Sequence, residues 1–158
     1  MNKLANFFVS LLFAGYIKII PPGTFASFLS IVILFPIVEY KIIALEIFVV
    51  IFFVIFLLSL FFIKKFSSHT QSHDSKIIVI DEFLGIYLIL LFYDQIKIIN
   101  PYVTMMLIFI LFRFFDILKI FPANIVDKRI KSAFGVILDD LIAGIYTIIV
   151  LYIVNAYY

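Results

Sequence analysis

Cysteine is absent from the 158 residues, which excludes disulfides and any chemistry routed through a phosphocysteine. Histidine occurs twice. His69 and His73 are too close together for phosphatases built on well-separated histidine motifs, and they offer little to a zinc site. Charge is scarce: Asp, Glu, Lys and Arg make up 14% of the chain, with a net charge of +2. That is too little for a nucleic-acid surface, and the aromatics sit in apolar runs rather than between basic residues. There is no internal repeat and no low-complexity linker. Two signatures of lipid and phosphate chemistry are also missing: no DxDx[TV] pattern surrounds Asp81, and the DDLIAG run lacks the longer DxxDGxxAR pattern of CDP-alcohol phosphotransferases.

What the chain has in abundance is apolar. Hydrophobic residues make up 66% of it, with 21 Phe, far above the share of a soluble fold. The 22 residues from Ile42 to Ile63 are interrupted only by Glu46. A helix of that length, rising about 1.5 Å per residue, crosses a hydrocarbon core of roughly 30 Å. The opening MNKLANFFVSLLFAGY has the outline of a signal peptide, but no clean cleavage site precedes a hydrophilic mature domain, so it is read as part of the protein.

The apolar periodicity predicts an all-α polytopic membrane protein, one domain over 1–158, with six helical segments. They run from about Lys3 to Ile17, Thr24 to Val38, Ile42 to Phe66, Ile77 to Phe92, Pro101 to Phe121 and Val136 to Asn155. Pro21, Pro22 and Gly23 separate the first two, because tandem prolines disfavour helix at and before themselves. Asn100 and Pro101 occupy the cap and first-turn positions of the fifth. Lys64, Lys65 and Lys76 flank one loop and Lys119, Lys128, Arg129 and Lys131 crowd another, which places both on the cytoplasmic side. Counting spans backward puts the PPG turn on that side too. The short first helix then lies at the interface, leaving five segments that span or nearly span.

That topology gathers the polar residues at one face. Asp81, Glu82, Asp116, Asp139 and Asp140 lie in or at the ends of apolar segments, where a carboxylate costs about 2.5 to 3.5 kcal/mol to insert. A divalent cation relieves both that cost and their mutual repulsion, and an all-oxygen donor set favours magnesium or manganese. Adjacent acids on a helix point about 100° apart, so neither the Asp81–Glu82 pair nor the Asp139–Asp140 pair is expected to chelate an ion unaided. Arg113, Asp116 and Lys119 share one helix face, either as a surface salt-bridge ladder or as a phosphate site. Arginine's planar fork suits phosphate. His73 and Asp74 read as a loop or cap before the Asp81 helix. Gly23 and Thr24 read as an ordinary helix start whose exposed N–H groups suit an anion.

Four stretches in order carry a resemblance: PGTFAS at Pro22–Ser27, HDSKIIVIDEFLG at His73–Gly85, FRFFDILKIFP at Phe112–Pro122 and FGVILDDLIAG at Phe134–Gly144. Together they resemble the phosphatidylglycerophosphatase A family of bacterial membrane enzymes. The family's KPxP has Ile120 for its first proline, Ala26 replaces a usual glycine, and Ser132 and Ala133 stand where glycines are common. These are backbone and packing positions. The resemblance implies a fold with a central helix surrounded by five others, at the bacterial cytoplasmic membrane with the active site facing the cytoplasm. It also implies a Mg2+-dependent phosphomonoesterase acting on phosphatidylglycerophosphate among the membrane lipids. On that reading Asp81, Glu82, Asp139 and Asp140 hold metal and handle protons, and Asp116 orients Arg113 or binds metal. Arg113 and Lys119, with Gly23 and Thr24, bind the substrate phosphate, and His73 or Asp74 protonates the leaving group. The rival class is an ion-coupled or metal transporter, which also needs intramembrane carboxylates but requires access from both sides.

Overall fold

A computed structural model describes residues 3–17, 19–70, 75–98 and 100–157. These residues hold eight α-helices and one 3₁₀ turn, and no strand. The helices are α1 (Lys3–Val9), α2 (Pro22–Glu39), α3 (Leu45–Thr70), α4 (Ile80–Leu91), α5 (Tyr93–Ile96), α6 (Pro101–Leu118), α7 (Ala123–Arg129) and α8 (Ala133–Tyr157); the 3₁₀ turn is Ala14–Tyr16. Four of them, α2, α3, α6 and α8, are long and apolar enough to cross a membrane. Their outward faces carry side chains such as Phe53, Leu57, Phe61, Met106 and Ile149, which water does not favour and lipid accepts.

Eight helices stand where periodicity predicts six segments, and each difference has a local cause. The first segment stops at Val9 because Leu11, Leu12 and Phe13 all adopt positive φ, from 46° to 70°, a region that breaks a right-handed helix. What remains of α1 has seven residues, too few to span. The fourth segment is α4, only 12 residues long, which pauses at Phe92 before the single turn of α5. Beyond α6 the chain reverses at Lys119, whose φ of 45° is left-handed, and α7 follows. This helix is short and polar, so hydrophobic periodicity has nothing to detect.

The expected start of α6 is present in detail: Asn100 Oδ1 accepts hydrogen bonds from the N–H of Tyr102 at 2.9 Å and Val103 at 3.3 Å, with Pro101 in the first turn. Polar groups inside the apolar helices satisfy themselves locally. Ser30, Ser59 and Thr147 donate to carbonyls one turn back at 2.6, 2.8 and 2.9 Å.

α4 is buried along most of its length and packs against α2, α3, α6 and, most extensively, α8. The last contact is a glycine crossing: a Cβ on Gly144 would lie 3.0 Å from the Gly85 carbonyl oxygen. Toward α3, Tyr87 stacks on Phe48 at 4.3 Å between ring centroids and donates to the Phe48 carbonyl at 2.9 Å. The segment leading into α4 is fixed by α1, where the Val79 N–H donates to Val9 O at 2.9 Å. At the opposite end of α4 the Tyr93 hydroxyl donates to Glu39, and Lys97 reaches the same carboxylate at 3.0 Å.

Candidate active site

The glycine crossing sets the position of the acids. Asp81 precedes Gly85 by four residues and Asp140 precedes Gly144 by four, about one helical turn in each case. Both acids therefore sit one turn from the closest approach of α4 and α8, on the facing sides. One ligand oxygen from each of Asp81, Glu82 and Asp140 falls within 4.8 Å of the others. The expectation that neighbouring acids do not chelate an ion unaided concerns the pair alone; here a third carboxylate, Asp140 of α8, joins Asp81 and Glu82. Asp139 and Asp140 do diverge: Asp139 turns to Lys119, whose Nζ donates to its Oδ2 at 2.7 Å, and is not in the three-carboxylate group.

α6 brings the cations from the other side. Arg113 pairs with Asp116 at 2.5 Å, lies 4.0 Å from Glu82, and reaches Ser27 Oγ of α2 at 3.4 Å. The sequence's ladder is therefore only half formed, because Lys119, at the left-handed turn that ends α6, swings away to Asp127 at 2.6 Å and Asp139. Burial lowers the Lys119 pKa, but its hydrogen bonds to those two carboxylates outweigh burial and leave the ammonium more basic than an ordinary lysine.

A cavity of about 580 Å³ joins these groups, with Gly23, Asp81, Glu82, Arg113, Asp139 and Asp140 among its lining, a size suited to a small ligand. The start of α2 is pressed close: a Cβ on Gly23 would sit 2.1 Å from Glu82 Oε1 and 3.3 Å from Arg113 Nη1, so any larger residue here would displace the Glu82 carboxylate. Thr24 is half-buried and is not among the lining residues. His73 and Asp74 lie outside the described residues. Sequence reasoning missed Asp127, Ser27, Lys76 and Lys131. Asp127 carried no signal beyond sitting in a polar stretch, and Ser27, although it closes the PGTFAS stretch, was given no role.

Three buried polar atoms at this site have no hydrogen-bond partner among the described residues: Glu82 Oε2, Asp139 Oδ1 and Arg113 Nε. An orphaned buried polar atom is costly. Two of the three are carboxylate oxygens that lack a positive partner, and the third is a guanidinium donor that lacks an acceptor. Three clustered carboxylates fit a hard cation, and the orphaned donor beside them fits an oxyanion. The chemistry of the groups present thus suits a cation and an anion side by side.

Comparison with known proteins agrees with that chemistry. Residues 7–155 match the family described as Phosphatidylglycerophosphatase A. A Phosphatidylglycerophosphatase A of Haemophilus influenzae is 31% identical over 134 residues, covering 85% of this chain and 78% of that protein. The Escherichia coli protein of the same name is 29% identical over 83 residues, 52% of this chain and 46% of its own. No solved structure matches. A phosphatase family takes the place of the transporter alternative, and the match takes in three of the helices long enough to cross a membrane and all but the last two residues of the fourth. The chain belongs to the phosphatidylglycerophosphatase A family of membrane phosphatases.

Proposed function

We propose that this protein is a magnesium-dependent phosphomonoesterase of a bacterial cytoplasmic membrane, converting phosphatidylglycerophosphate and water to phosphatidylglycerol and inorganic phosphate at the cytoplasmic face. The observation that carries this reading is the Asp81, Glu82 and Asp140 group, within 4.8 Å, in one cavity with the orphaned donor of Arg113. Asp81, Glu82 and Asp140 would hold the ion, with the orphaned oxygen of Asp139 available as a further ligand or as a base. When bound, magnesium neutralises phosphoryl charge and lowers the pKa of a water molecule.

The remaining work falls to the chain's own groups. Arg113, held by Asp116, grips phosphoryl oxygens through its fork, and the N-terminus of α2 at Gly23 presents N–H groups and a positive dipole end to the same anion. Lys119, made more basic by its two carboxylates, stays protonated and serves as a fixed positive charge rather than a proton donor. Asp139 Oδ1 accepts a proton from the attacking water. The water oxygen bonds to phosphorus as the bond to the glycerol oxygen breaks in line, and that oxygen leaves as a hydroxyl with a proton from a nearby acid. His73 and Asp74 are the candidates for that acid.

The test is phosphate release from phosphatidylglycerophosphate by purified protein in detergent. Activity is expected to vanish with EDTA and return with magnesium. Release that persists in EDTA overturns the metal assignment, and no release under any condition overturns the reaction.

A further inference from the structure

The ten charged residues lining the cavity are six acids and four bases, and the bases divide by depth. Arg113 and Lys119 are already paired with carboxylates. Lys76 and Lys131 are exposed and line the same cavity, yet neither has a carboxylate partner among the described residues. Lys131 Nζ donates to the backbone carbonyl of Asp127 at 2.7 Å, which holds the side chain in place without neutralising it. The two come from separate segments, one leading into α4 and the other joining α7 to α8.

Of the four isoleucines that also line this cavity, Ile19 is 94% exposed and Ile20 44% exposed. Apolar side chains left this bare suit a lipid surface rather than water. Among the described residues the mouth thus has two lysines without a carboxylate partner and an apolar lip, while Asp81, Glu82, Asp140 and Arg113 lie further in. From the reacting end outward, a two-phosphate lipid of the proposed substrate class presents a terminal phosphomonoester, a glycerol, a phosphodiester and acyl chains. With the monoester at Arg113, the next anion along falls between the depth of Arg113 and the lip.

Resting on the reading that the site hydrolyses a lipid phosphomonoester, we propose that Lys76 and Lys131 form a second anion subsite, which takes the phosphodiester of the substrate. This subsite selects a lipid carrying two phosphates over a lipid carrying one. Both charges are solvent-exposed, so their combined contribution is modest, about tenfold in kcat/KM.

The experiment compares phosphatidylglycerophosphate with phosphatidic acid in neutral detergent micelles, for the wild type, Lys76→Gln/Lys131→Gln and Lys76→Arg/Lys131→Arg. The glutamine variant is expected to lose about tenfold in kcat/KM on the two-phosphate lipid, to keep its rate on phosphatidic acid, and so to lose selectivity; the arginine variant keeps it. Equal losses on both lipids mean a general effect on charge or folding and overturn the proposal. Unchanged selectivity, or a wild type that does not discriminate, also overturns the subsite while leaving the phosphatase reading intact. A wild type inactive on both lipids overturns that reading as well.

Discussion

Asp139 and Asp140 are 7% and 4% exposed, yet one faces a lysine and the other faces two acids. Neutralising them has different consequences. Asp140→Asn, like Asp81→Asn and Glu82→Gln, removes a ligand of the proposed ion while keeping the shape. Each is expected to lower phosphate release by at least about 100-fold, since losing even an outer-shell partner of a metal costs 10- to 100-fold. Magnesium titration of the rate separates weakened ion binding from a folding defect, and wild-type turnover in any of the three removes that residue from the ion site. Asp127 acts through Lys119. With Asp127→Asn only Asp139 supports the ammonium, so its pKa falls toward the ordinary lysine value and deprotonation begins at lower pH. The expected result is a pH–rate profile whose alkaline limb moves to lower pH while the rate near neutrality changes by less than about tenfold. A unchanged profile would mean that Asp127 does not tune Lys119. No motif marks Asp127 in the sequence, because its role arises only when the left-handed turn at Lys119 redirects the chain.

At the scale of elements, function depends on how closely helices approach. Gly85 lies beneath the Phe112 ring, where an added Cβ would meet ring carbons at 2.6 Å and the Asp140 carbonyl oxygen at 3.1 Å. Gly85→Ala therefore pushes α4 away from α6 and α8 together. Overpacking of this kind costs roughly 1 to 3 kcal/mol, and it also spreads the carboxylates. A lower Tm in detergent is expected, with a loss of activity larger than the loss of folded protein. An unaltered rate would show that the crossing does not set the site. The helices that bear the acids were legible because DEFLG and DDLIAG each join carboxylates to an apolar helix with a glycine one turn on. The breaks at Leu11–Phe13 and Phe92 were not, since both stretches are as apolar as their surroundings and tertiary packing decides where the helix stops. The approach of the Asp81 and Glu82 carboxylates to Asp140 was also hidden, because it depends on side-chain torsion and on the crossing of two helices rather than on sequence spacing.

For the whole molecule, the two ends differ in charge. At the end away from the cavity, Lys97 is neutralised by Glu39 at 3.0 Å and Lys41 lies 3.6 Å from Asp94, so the basic residues there are balanced. At the cavity end Lys76 and Lys131 have no carboxylate partner among the described residues, and Lys64, Lys65, Lys128 and Arg129 add to the excess. The positive-inside rule counts basic residues near helix ends, and that count is the support for the proposed cytoplasmic orientation of the cavity. The absence of native cysteine makes this directly measurable. Ser68→Cys sits at the exposed end of α3 beside the cationic segment, and Tyr40→Cys lies at the other end, where Tyr40 is 73% exposed. In intact cells a membrane-impermeant maleimide is expected to label Tyr40→Cys alone, with Ser68→Cys reacting only after permeabilisation. The reverse pattern would turn the cavity outward, away from the cytoplasmic leaflet in which the proposed reaction requires its substrate.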